Sequence, residues 1–496
     1  MTSASSRESH SATNCQMEND IDVDAVDRML SGLMNQMSFE ERNAMQEEIH
    51  GVKNLCPDET PDKIQMALKE LSHELVRISI PEKAAFNEAQ TLPTTYVNQE
   101  WFQLRFLRAE VYDITKAAKR LLRFVDLVKT YFGMVGLQRP IQLSDLSVLE
   151  RKCLVTGCHQ LLPYRDRSGR RIFAAVGNFA VDFPLEARMK VVLYIMWAAS
   201  DDIETQRRGI LVIIWPNPDL VIIPDYNLHV AGRKCVDGYP LRGCALHMCF
   251  AENFASRMIK AQIGLAMSEQ MQQRLKIHLG TRTEIEYSLQ SFGIYVDQIP
   301  VTESGKMKLQ NLHQWMKVRK VLEKQQLTSL SHPGGEPRQS IIECPGLQDV
   351  IFRSGNKVYM FHPGNLLFRN LVEANFEEHE NAQTQSEKAD ITRRVIKDIL
   401  VERRGRFVVW DKGAGWYTEL TNESQIREKV AVYIREFKKR IRAMENRQVS
   451  ESSTEKFQLQ NGNKRRRFSQ DNNIFVARSG RGQATPDVLP KNHWPR

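Results

Sequence analysis

From Gly209 to Trp215 the chain reads Gly-Ile-Leu-Val-Ile-Ile-Trp, without one polar side chain. A surface helix would interrupt such a run with polar residues at every third or fourth position, and a half-buried strand would alternate. An unbroken β-branched run suits a strand buried on both faces of a mainly parallel sheet. Layers of helix must then cover both faces, and the neighbouring segments supply them. Ser168-Gly169 is a turn signal, Arg171 to Val176 follows as a strand, and Pro184 to Ala199 as a helix. Ala245 to Phe250 is a further core strand and Phe254 to Gly264 an apolar helix. Strand and helix alternate through 170–300, which argues for an α/β layer architecture.

Helices precede this core. Asp113 suits an N-cap, and after it Ile114, Ala118, Leu121, Val125 and Val128 fall on one helical face. Upstream, Ser38-Phe-Glu-Glu41 forms a capping box and Gly51 closes its helix. Thr60-Pro61 opens another, striped with Ile64, Leu68, Leu71 and Leu75. Residues 1–80 hold seven Lys/Arg against fifteen Asp/Glu. We therefore read 1–20 as disordered and 21–80 as an acidic helical extension, a candidate surface for a protein partner.

Leu104-Arg-Phe-Leu-Arg-Ala109, then an aromatic, Asp113 and Lys116-Ala117, resembles the N-terminal helical subdomain of the CRAL-TRIO lipid-binding family, whose members include phosphatidylinositol-transfer-like proteins. Asp166-Arg-Ser-Gly-Arg170 resembles the turn entering that family's lipid-binding core, and Tyr239-Pro240 is similar to the pair before its next core strand. The resemblance covers roughly 100–305. It implies a helical subdomain over 95–165, a lipid-binding core over 166–305, and the 254–264 helix as a movable lid hinged at Gly264. It implies a pocket lined by Ile213, Trp215, Met248, Phe250, Phe254, Met258, Ile259 and Ile263 above a floor of strands 171–176 and 210–215. Arg242, Arg257, Lys260 and Arg274 are the candidates for a phosphoinositide headgroup, since such donors bind phosphate. Taken without the family, the same residues suit an ordinary core and a solvated helix face. The sequence departs from the family at Ile299-Pro300 to Gly305, where a compact Leu-Pro and Gly-Gly ending is stretched.

Residues 306–346 read as a basic amphipathic helix, Leu309 to Lys324, followed by a linker containing His332-Pro-Gly-Gly-Glu-Pro337. A small α+β domain over 347–445 follows: a helix capped by Asn365, a second capped by Ser386, a β-hairpin at Gly405–Trp410 and Gly415–Leu420, and a last helix after the Asn422–Gln425 box. His362-Pro-Gly-Asn365 with Phe368-Arg, and Arg406-Phe407 with Gly415-Trp-Tyr417, resemble a domain of unknown function seen mainly in algal proteins, which implies no activity. Residues 446–496 read as a disordered basic tail. Within it Lys464, Arg465, Arg466 and Arg467 form a candidate nuclear-localisation run.

No G-x-S-x-G, Walker A, H-E-x-x-H or Rossmann glycine fingerprint occurs in the 496 residues. Asp201, Asp202 and Glu204 read as a solvated acidic loop. Cys153/Cys158 beside His159 and Cys244/Cys249 around His247 have zinc-like spacing, but buried thiols are the favoured reading. With no signal peptide or membrane-length apolar run, we expect a soluble cytoplasmic protein with peripheral membrane contact. The expected function is binding, and exchange, of a hydrophobic ligand such as a phospholipid or phosphoinositide, without catalysis, cofactor or metal. The alternative is a nuclear regulator that binds nucleic acid through the basic tail and through Trp410, Trp416 and Tyr417, which look exposed. A third possibility is an adaptor sensing membrane composition.

Overall fold

The computed structural model describes residues 25–218, 220, 226–253, 260, 267–331, 341–353 and 361–443. Packing divides the chain into two compact units, Met1–Ile426 and Arg427–Arg496. Everything below lies in the first.

Five strands form the larger sheet: β1 (His159–Leu161), β2 (Arg171–Gly177), β3 (Ile210–Pro216), β4 (Gly243–Phe250) and β5 (Leu275–Leu279), side by side in that order. β1 is antiparallel to β2, and every other pair is parallel. The apolar run is thus the central strand, and apolar clusters on both of its faces leave no place for a polar side. Gly209, just before β3, has φ +79°, and a Cβ there would stand 2.7 Å from the Arg242 carbonyl oxygen. Only glycine lets the two parallel strands start this close together.

Strand alternation sorts the side chains. Ile172, Ala174, Leu211, Ile213 and Ala245 face one way, onto Ile285 and Leu289 of the helix Arg282–Ser291 and Phe292 at its C-terminal cap. Phe173, Ala175, Val212, Ile214 and Leu246 face the other way. That second face looks towards α8 (Leu185–Ala199) and α10 (Tyr226–Gly238), and beyond them to α5 (Glu100–Ala109) and α6 (Ile114–Gln138). As expected, Asp113 caps α6 by accepting from Lys116 N at 3.0 Å, and Ala118, Leu121, Val125 and Val128 are buried. Other described helices of this part include α1 (Ala25–Gln36), α2 (Phe39–Ile49), α3 (Pro61–Arg77), α4 (Ala84–Gln90), α7 (Val148–Val155) and α9 (Ile203–Arg208). The boxes and caps at Ser38–Glu41 and Thr60 are present, and Leu68, Leu71 and Leu75 are buried.

The smaller sheet is mixed. β8 (Phe407–Asp411) and β9 (Trp416–Glu419) form the expected hairpin, β7 (Val350–Phe352) runs parallel to β8, and β6 (Ile341–Ile342) pairs antiparallel with β9. β6 falls within 306–346, where a linker was expected. Two caps also differ from expectation. Pro363 occupies the first turn of the helix Pro363–Ala374, and Asn365 instead grips β7, its side chain bonding Ile351 N at 2.6 Å and Ile351 O at 3.0 Å. Thr384, with Glu387, caps the next helix in place of Ser386.

The segment just before 347 is tied to the part of the chain that carries the larger sheet. Arg319, 2% exposed on the helix Gln310–Ser331, donates to Asp201 Oδ2 at 2.8 Å and to Glu343 Oε2 at 3.3 Å. Arg171 of β2 also reaches Glu343, at 2.9 Å. Arg165 donates to the Pro345 carbonyl and to Asp202. The acidic cluster is therefore a hub of ion pairs rather than a solvated loop, because Arg105, Arg165 and Arg319 converge on it from three elements. Burial opposes the charge on Asp202, yet Arg165 and the Thr205 hydroxyl hold its carboxyl down at about 2.

Candidate functional site

On the face of the sheet carrying Val212 and Ile214 lies a cavity of about 660 Å³. Its floor is Phe173 and Ala175 of β2, Ile210, Val212 and Ile214 of β3, and Leu246 of β4. Met189, Val192 and Met196 of α8 form one wall, and Val236, Tyr239 and Leu241 in and after α10 another. Most of its lining is apolar, so water within it finds few hydrogen-bonding partners.

The rim is charged. Glu110, Lys116 and Arg120 come from the α5–α6 corner, and Arg242 and Arg274 from the residues just before β4 and β5. The corner is strained: Val111 and Tyr112 have φ of 54° and 65°, a region β-branched and aromatic residues avoid. The Tyr112 hydroxyl donates to Glu59 Oε1 at 2.8 Å, which helps to hold the turn. Met37, Glu41, Ala44 and Met45, from the end of α1 and from α2, also line the cavity. The acidic N-terminal helices thus belong to the site.

The two headgroup candidates that the structure describes in detail are already engaged. Glu48 of α2, 2% exposed, receives Arg242 Nε at 2.8 Å on one carboxylate oxygen and Arg274 Nε at 2.9 Å on the other. Arg170 donates to the Glu48 and Ile49 carbonyls and so fixes the C-terminal end of the same helix. Lys260 is buried. Arg257, and the lid residues Phe254, Met258, Ile259 and Ile263 with the hinge Gly264, lie outside the described residues.

Other pocket candidates are placed differently from expectation. Ile213 and Trp215 point to the opposite face of the sheet, because they alternate with Val212 and Ile214. Met248 and Phe250 lie on the cavity face but pack in an adjoining cluster with Met267, Met271 and Ile277. The sequence reading thus found the strand, but took residues from both of its faces. It missed Phe173, Val212, Ile214 and Met196, which strict period-two bookkeeping against a known partner helix would have found. His159, weighed only as a zinc ligand, lines the cavity from β1.

Cys153, Cys158, Cys244 and Cys249 are all buried, and burial pushes the thiols of Cys153 and Cys244 up to about 11. Among the described residues no group of three or more His, Cys, Asp or Glu is placed to hold a metal ion.

The aromatic trio of the small sheet is packed rather than exposed. Tyr417 is buried. Trp410 lies between Tyr417, at 4.8 Å, and the Arg353 guanidinium, 3.8 Å from its ring centre. Trp416 has the Lys317 ammonium 5.8 Å from its ring centre. The candidate nuclear run Lys464–Arg467 lies outside the described residues. No described helix is long and apolar enough to cross a membrane.

Residues 349–436 match the family described as Domain of unknown function (DUF6824). This agrees with the resemblance noted for the C-terminal region and carries no activity with it. No curated protein matches the chain. The CRAL-TRIO likeness of 100–305 has no family match behind it.

Proposed function

We propose that the protein holds one hydrophobic ligand in the sheet-floored cavity and exchanges it with a membrane surface, acting by binding alone. The observation that carries this reading is the cavity itself: about 660 Å³, floored by the central strands and apolar over most of its lining. That size falls in the range of ~300–1,000 Å³ usual for small-molecule sites. An acyl chain moved there from water would gain about 0.8 kcal/mol per buried CH₂. A CRAL-TRIO-like core is the fold this reading favours, in keeping with a mostly parallel sheet flanked by helices and with the Leu104–Ala109 and Asp166–Arg170 motifs. The ligand class it implies is a phospholipid or phosphoinositide. The proposed setting is the cytoplasm, with peripheral membrane contact.

The test is mass spectrometry of organic extracts from the purified protein, with pickup from phosphatidylcholine vesicles. Val212→Glu places a carboxylate on the cavity floor. Loading should fall at least tenfold while the thermal transition is retained. If the parent protein carries and acquires no lipid, the cavity is only a packing void.

The nucleic-acid alternative rested partly on exposed Trp410, Trp416 and Tyr417, and their packing under Arg353 and Lys317 removes that support. Steeply salt-dependent binding to plain duplex DNA would restore it.

A further inference from the structure

One polar group sits inside the apolar part of the cavity. His159 of β1 pairs with Ala175 of β2 and projects from the cavity face. It is 9% exposed, and its ring stacks on Phe173 with centroids 6.1 Å apart and an interplanar angle of 13°. Its Nδ1 is buried with no hydrogen-bond partner, and no described residue bonds to either ring nitrogen. A buried ring nitrogen without a partner is unfavourable, and native interiors seldom retain one without a reason. Among the residues lining the cavity floor, its neighbours are Phe173 and Ala175, which offer it no hydrogen bond.

We infer that His159 is the recognition point for a neutral oxygen group, a hydroxyl above all, carried by the lipid that the cavity holds. The inference rests on reading the cavity as a lipid site and specifies which lipids fit it. Burial, helped by the nearby Arg188 charge, pushes the His159 pKa down to about 4, so the ring is neutral at physiological pH. A neutral ring offers one donor and one acceptor, and which nitrogen plays which part is open. A hydroxyl both donates and accepts, so it satisfies either tautomer, whereas a carboxylate or phosphate could only accept from the ring N–H.

The position of the group matters too. The charged residues Arg242 and Arg274 stand at the starts of β4 and β5, three and four strands away from β1. At the usual strand separation that is ~14–19 Å. The Arg242 and Arg274 part of the rim is thus well removed from the neutral His159 ring. A single-chain or fused-ring alcohol can set its hydroxyl against His159 and its apolar remainder along the cavity floor.

The experiment compares 1-octadecanol with octadecane, each delivered in phosphatidylcholine vesicles. Protein-bound ligand is quantified by mass spectrometry after gel filtration. The parent protein should load the alcohol about tenfold better than His159→Phe does, while both proteins load octadecane equally. Phenylalanine keeps the stack on Phe173 and removes only the nitrogens. Equal alcohol loading by parent and variant overturns the assignment of His159. Loading of neither probe by the parent overturns the lipid reading as well, so the two failures are distinguishable. Should His159→Phe not fold, the parent alone decides: alcohol taken up at least as well as alkane supports a polar anchor inside the cavity, and a strong preference for alkane overturns it.

Discussion

Glu48 Oε1 lies 2.8 Å from Arg242 Nε, and the pair joins the N-terminal helix α2 to the start of strand β4. Both side chains are almost entirely buried, at 2% and 8% exposure. The same carboxylate holds Arg274 before β5, so an acidic residue of the N-terminal extension neutralises two cations at the cavity rim.

Removing that carboxylate leaves two buried guanidinium groups without their counter-charge. Glu48→Gln is expected to destabilise the protein by about 3–5 kcal/mol, the usual cost of breaking a buried ion pair from one side. The midpoint of urea denaturation measures it. If α2 also limits access to the cavity, the initial rate of lipid uptake from vesicles should rise in the same variant. An unchanged denaturation midpoint would mean that water or another group replaces the carboxylate.

Stability should fall on mild acidification. Burial pushes His159, His278 and His362 down to about 4, whereas unfolded histidine titrates near 6.5. Between these values the unfolded chain binds more protons than the folded one, so the contribution is complete above pH ~6.5 and is lost as pH falls towards about 4. Urea midpoints measured from pH 7.5 down to 4.5 should decline, and His159→Phe should flatten the decline. A midpoint independent of pH over that interval would show that these rings are hydrated.

Asn365 tests the small sheet. Its amide bonds both the N–H and the C=O of Ile351 in β7, so it stands in for a neighbouring strand. Asn365→Ala leaves two part-buried backbone groups unpaired, and a loss of about 1–3 kcal/mol is expected. A lowered thermal midpoint with an otherwise normal circular dichroism spectrum checks it.

Local chemistry was legible from residue order. Ser38–Glu41, Thr60 and Asp113 cap helices because short side chains next to free N–H groups act within one turn, and no distant partner is needed. The run from Ile210 to Trp215 declared a buried central strand, since no other setting accepts it. The Gly-rich turn between Trp410 and Trp416 declared a hairpin for the same local reason. What the sequence left open was decided by distance in the fold. Alternation gives two faces to β3 but does not say which one meets a cavity; α8 and α10 settled that in favour of Val212 and Ile214 over Ile213 and Trp215. Asp201 and Asp202 looked like a solvated loop because their partners, Arg319 and Arg165, lie 118 and 37 residues away along the chain. Arg242 and Arg274 looked like open headgroup ligands because Glu48, on which both close, stands 194 and 226 residues upstream. Charge and periodicity act between near neighbours and can be read along the chain, whereas pairing across a core depends on contacts that only the folded backbone brings together.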